Sequence, residues 1–197
     1  MKSDIALPLQ QHPNFAAALT RLGRTVRFVD LAGAAPVLTV QQWGQSMTSR
    51  GPIWQEDACA DRLRDTGLRK INADAPNGQI LRRAGFRRLM TDAHVAELDL
   101  LTTAYDRQKA MKPKWRNAWR SAHGVALTIT EAQFNIHAHA WVLQADLEQQ
   151  RAKRFRGLPH ALVNAYAACQ PKSVRILIGS DGDTPVAAML FLLHAPV

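Results

Sequence analysis

Apolar positions along the chain recur with two spacings. Phe15, Ala18, Leu19 and Leu22 fall on one face of a helix, which Asn14 can cap and Gly23 can stop. Residues 26–31 and 37–43 read as two strands around a turn at Gly33-Ala-Ala-Pro36. Residues 44–49, rich in Gly, Ser and Thr, read as a connection leading to Arg50-Gly-Pro-Ile-Trp54. Beyond it, 56–66 suits a polar surface helix, 68–72 a short strand, and 79–84 a short helix closed by Gly85. Residues 86–90 and 93–100 read as further strand, with Val95, Leu98 and Leu100 facing inward. This order predicts an α/β fold of mixed α+β layering, a sheet with helices on its faces.

A basic helix divides the chain. Pro113 suits its first turn and Gly124 its end. Trp115 and Trp119 are four apart and share a face; Arg116 and Arg120 share a neighbouring one. With Lys109, Lys112 and Lys114 they form a cationic run with no acid between. After it, 125–130 alternates as a strand, and 131–153 reads as a long helix with Ile136, Trp141, Leu143 and Leu147 apolar. A second basic cluster occupies 151–159. A helix follows at 161–169, ended by Pro171, then strands at 174–178 and 186–193 around a turn at 181–185.

The second part repeats the first. Val26-Arg27, a turn at Gly33 and Pro36-Val37 match Val174-Arg175, a turn at Gly182 and Pro185-Val186. The first copy continues for about 60 residues beyond Pro-Val, as a repeat unit of domain size would; the second stops at Val197. The reading is two tandem halves, 1–104 and 125–197, joined by a basic linker helix at 105–124, with the second half truncated at its C-terminal side.

The net charge of +9 favours anionic partners such as nucleic acid, phosphate-bearing ligands or acidic lipid. Cys59 and Cys169 lie far apart, read as reduced thiols, and fit a cytoplasmic location. The opening MKSDIALPLQQHPNF has no long apolar run and is not read as a secretory signal; no stretch is long and apolar enough to suggest a membrane span.

Lys114-Trp115-Arg116-Asn117 with Arg120, Ser49-Arg-Gly-Pro-Ile-Trp54, Leu81-Arg-Arg-Ala-Gly-Phe86, Arg154-Phe-Arg-Gly-Leu-Pro159 and Pro185-Val-Ala-Ala-Met189 stand in an order in which the chain resembles the Fem-like acyltransferases of the GNAT acyl-CoA transferase superfamily. The resemblance implies two GNAT-like halves, each a mixed sheet flanked by helices. It implies N-acyl transfer, acetyl or aminoacyl, from acyl-CoA or aminoacyl-tRNA to an amine-bearing small molecule or a peptidoglycan-precursor-like acceptor. In such enzymes the donor pyrophosphate rests on backbone N–H groups where a strand splays and a helix begins. That loop is expected after the hairpin ending at Leu193, so a chain stopping at Val197 is expected to lack it, and to be either truncated, with most of its activity lost, or completed by another chain. The equivalent loop of the first half, 48–55, is a poor match to a phosphate cradle.

The resemblance places Arg154 and Arg156 in an acceptor-binding turn. Arg116 and Arg120 can grip phosphate through their planar forks, and Trp115 can stack on a ligand ring or pack the linker between halves. No nucleophile motif or acid/base pair stands out; direct attack by the amine, with catalysis by positioning, fits that. His137 and His139 diverge on the expected helix, and no metal site is expected. His123 and His194 each read as isolated. The alternative function is a noncatalytic basic module binding nucleic acid or another polyanion through 109–120 and 151–156. The apolar run Met189–Leu193 is expected to leave an open sheet edge that favours self-association.

Overall fold

The computed structural model describes residues 7–55, 63–74, 77–91, 103–122 and 124–194. Among them are six α-helices and seven strands, in one four-stranded and one three-stranded sheet, a mixed α and β architecture. Two compact units form. One holds the described residues up to 91, with 133–175 and 190–194; the other holds 103–132 and 176–189.

In the first unit, α1 (Pro13–Arg21) opens with Pro13 at its first position. Its cap is His12, whose Nδ1 accepts from Asn14 N at 3.1 Å, rather than Asn14 itself. The helix closes on Gly23 at φ +73°, with Gly23 N on Thr20 O and Arg24 N on Leu19 O. The strands β1 (Val26–Val29), β2 (Val37–Gln42), β3 (Gln45–Ser49) and β4 (Leu68–Asn72) lie in that order. The first three pair antiparallel; β3 and β4 pair parallel, with a register shift between Ser46 and Met47.

β3 replaces the expected connection at 44–49. Trp43 and Gly44 both take positive φ, 51° and 71°, and so make a two-residue hairpin turn despite the tryptophan. A short helix, α2 (Gly78–Arg83), ends on Gly85 at φ +81°. The strand expected at 86–90 does not form: Phe86 joins an apolar cluster with Leu31, Val37, Leu63 and Leu68, while Leu89 and Met90 stand exposed. Of the helix expected at 56–66, residues 63–66 lie in a turn and 56–62 fall outside the described residues. The strand expected at 93–100, His123 and Cys59 also lie outside them.

The helix expected at 131–153 is shorter: α5 (Ala140–Lys153) starts nine residues later. Asn135 causes the break. Its Oδ1 accepts from His137 N at 2.9 Å and Ala138 N at 3.0 Å, a local turn that competes with helix. Residues 131–133 instead finish β5 (Thr128–Gln133). Next come α6 (His160–Cys169), β6 (Val174–Asp181) and β7 (Thr184–Leu192), ordered β5-β6-β7 in their sheet. Gln133 of β5, Val174 and Arg175 of β6 and the last residues of β7 from Leu190 belong to the first unit.

The main core of that unit joins the two repeat copies. Phe15 and Ala18 of α1 and Leu38 of β2 cluster with Leu162, Val163 and Tyr166 of α6 and with Phe134 and Val174. Tyr166 is fully buried, and its hydroxyl donates to Leu193 O at 2.8 Å. Beside the core, Gln11 acts as a buried bracket. Its Nε2 donates to Thr48 Oγ1 and Ser49 O, and its Oε1 accepts from Leu38 N. Gly51 leaves room for it; a Cβ there would meet the Gln11 amide at 2.7–2.9 Å.

The second unit contains α3 (Ala104–Ala110), α4 (Pro113–Ala122), β5 up to Ala132, β6 from Ile176 and β7 up to Met189. Thr103 caps α3 by accepting from Asp106 N and donating to Asp106 Oδ2. The stretch of β7 from Thr184 to Met189 is exposed, with Val186 and Met189 more than half accessible.

Candidate functional site

The residues singled out from the sequence fall in both units. Arg154 and Arg156 share the turn between α5 and α6 in the first unit and are exposed. Arg154 occupies a glycine's place. Phe155 N bonds to Gln150 O as α5 ends, the closing pattern that Gly23 serves for α1 and Gly85 for α2, and Arg154 takes φ +54°. A side chain in that left-handed conformation costs about 1 kcal/mol relative to glycine.

The turn is held by side chains that no motif in the sequence marks. His160 Nε2 lies 2.8 Å from Asp146 Oδ2, and Gln150 Nε2 donates to the same oxygen at 2.6 Å. Gln150 Oε1 in turn accepts from Gly157 N at 2.9 Å. Asp146 and Gln150 are one helical turn apart, so both face the loop. The hydrogen bond from His160 holds the Asp146 carboxyl below its usual value, against the opposing effect of burial and with help from Gln150.

In the second unit, Trp115 is 67% exposed. It borders an apolar groove with Met111, Ala118, Trp119 and Ala122, flanked by Lys112. Arg116 turns back on its own chain, donating to Lys109 O at 2.7 Å and Met111 O at 2.8 Å, and so ties the end of α3 to α4. Arg120 is exposed in the last turn of α4.

The loop after β3 carries Arg50, at φ +53°, in a bidentate pair with Asp74 at 3.0–3.2 Å. His139 Nδ1 accepts from Asn135 N, and His194 stacks at a tilt beside His12, 5.2 Å between ring centres. Among the described residues no group of three or more His, Cys, Asp or Glu is placed to hold a metal, and no helix is long and apolar enough to cross a membrane.

The first unit also holds an open cleft of about 620 Å³. Its walls come from the end of α1 (Arg21, Leu22), from Phe134 and Ile136 after β5, and from α6, including Asn164. Nothing in the sequence marked it, because its lining is assembled from three distant segments. No family model and no curated protein matches the chain.

Proposed function

We propose that the chain is an N-acyltransferase of the tandem GNAT-like kind, which passes an acyl group from acyl-CoA to the amine of a small acceptor. One observation carries this reading: a helix followed by a two-stranded hairpin occurs twice, as α1–β1–β2 and as α6–β6–β7, with both helices in one core. The first copy adds support. It extends through β3, with its register shift, to a parallel β4, the mixed sheet expected of a GNAT-like half.

In this reading the turn bearing Arg154 and Arg156 meets an anionic part of the acceptor. His160, oriented by Asp146, accepts the proton that the attacking amine must lose. No covalent intermediate on the protein is required, and the remaining work is positioning. Arg50 is engaged by Asp74, so the loop at 50–55 is not assigned to the donor phosphates. A panel of acyl-CoA thioesters tests the reading. A cognate donor at ten times its dissociation constant raises the melting temperature by about 3–6 °C. No shift with any member of the panel contradicts it.

A second reading, a polyanion-binding module, is favoured by α4, where Lys112, Lys114 and Arg120 are exposed and no acid intervenes. It requires affinity for nucleic acid that falls steeply between low and physiological salt. Salt-independent binding excludes it.

A further inference from the structure

We infer that α4 docks the protein on an anionic lipid bilayer, laying its tryptophan face into the headgroup boundary. Met111, Trp115, Ala118, Trp119 and Ala122 line one apolar groove along the helix. Their spacing of three and four places them in a stripe about 100° wide. A stripe of that width on a helix ordinarily packs against a core. Here α4 has no buried residue, and none of the main packings between described elements involves it. Trp115 stands 67% exposed. An indole with an apolar body and one N–H suits the boundary between headgroups and acyl chains.

The charges fit the same partner. Lys112 flanks the groove on one side, and Lys114, one turn before Ala118, runs along its other edge. Both are exposed. The chain has no acid between Asp106 and Glu131 to repel an anionic surface. Lysine stems cover apolar surface while their ammonium groups stay among the headgroups. An apolar face with tryptophan, bordered by lysines on a helix otherwise polar, is the make-up of one that lies in a membrane interface and does not cross it.

The face is formed in advance. Arg116 donates to Lys109 O and Met111 O, which fixes the corner between α3 and α4 and holds Met111 and Lys112 beside the helix. Arg120 falls on the side of α4 away from the groove and contributes little to docking. A nucleic acid would use all the cations and the two indoles, but would leave Met111 and the alanines without a role.

The inference does not depend on the transferase reading and is tested without donor or acceptor. Vesicles of phosphatidylcholine, alone or with about 30% phosphatidylserine, are sedimented with the protein. Binding to the acidic vesicles is about tenfold or more tighter, and tryptophan emission is quenched by lipids brominated near the headgroup end of their chains. Trp115→Ser removes most of the quenching and weakens binding about tenfold, with the melting temperature unchanged because the side chain is exposed. Lys112→Gln with Lys114→Gln weakens it about tenfold or more, and Arg120→Gln by about threefold at most.

No binding to acidic vesicles at about 1 mM lipid overturns the inference. Binding that Trp115→Ser leaves unaltered overturns it too, since the contact is then charge alone. Tighter binding to a single-stranded oligonucleotide than to acidic vesicles, weakened equally at Lys112, Lys114 and Arg120, gives the helix to nucleic acid and also overturns it.

Discussion

His160 and Asp146 approach to 2.8 Å across the turn between α5 and α6, and the carboxylate also accepts from Gln150. The folded state therefore favours the ionised acid. A carboxyl whose folded value lies below its unfolded one contributes stability above the unfolded value and loses it as pH falls through the folded one. With 43% of the Asp146 side chain exposed, the pair contributes at most about 1 kcal/mol. In urea titrations Asp146→Asn is destabilised by that amount at pH 7, and the gap to the parent closes below about pH 4. A gap that persists undiminished at pH 3 contradicts this origin.

Arg154 keeps a conformation that glycine adopts freely. Arg154→Gly should therefore raise stability by about 0.5–1 kcal/mol in denaturant unfolding. If the side chain engages the acceptor, the same substitution weakens turnover or acceptor binding. Gained stability with unchanged function would reduce Arg154 to an exposed helix end.

Burial, and then the nearby His12, lower the His194 pKa from its usual value near 6.5. The unfolded chain thus takes up a proton on His194 at a higher pH than the folded chain does. Stability falls as pH drops from about 6.5 toward the folded value and then levels off. His194→Gln removes this part of the slope. Melting temperatures between pH 5 and 7.5 check it; an equal slope in the variant places the effect elsewhere.

Gln11 links the entry to α1 with β2 and β3 through three buried or half-buried hydrogen bonds. Gln11→Leu leaves Leu38 N without its partner and should cost about 2–4 kcal/mol in urea unfolding, near the top of the range for a lost buried bond. Gly51→Ala should also destabilise, because the new Cβ displaces the Gln11 amide. A loss below about 0.5 kcal/mol for Gln11→Leu would mean the bracket is dispensable.

What could be read from the sequence was local punctuation. Gly23, Gly85 and Pro113 marked true helix boundaries, and the Val-Arg and Pro-Val pairs marked two hairpins. Reading failed where side chains overrode composition. Trp43 in a left-handed conformation hid the hairpin into β3, and the Asn135 turn cut the long helix short. The cap of Thr103 on Asp106 N is a legible sign of α3.

At the site, a basic cluster and the family resemblance pointed to Arg154 and Arg156. The acid and the imidazole that hold their turn belong to separate helices, and single residues with no shared spacing carry no sequence signal.

The most direct measurement is mass spectrometry of single-turnover mixtures holding the protein in excess over an acyl-CoA panel and a set of small amines. The account predicts an N-acylated amine with stoichiometric release of free CoA, reduced about tenfold or more in His160→Gln. Intact acyl-CoA and unmodified amines throughout, with the protein folded, would contradict it.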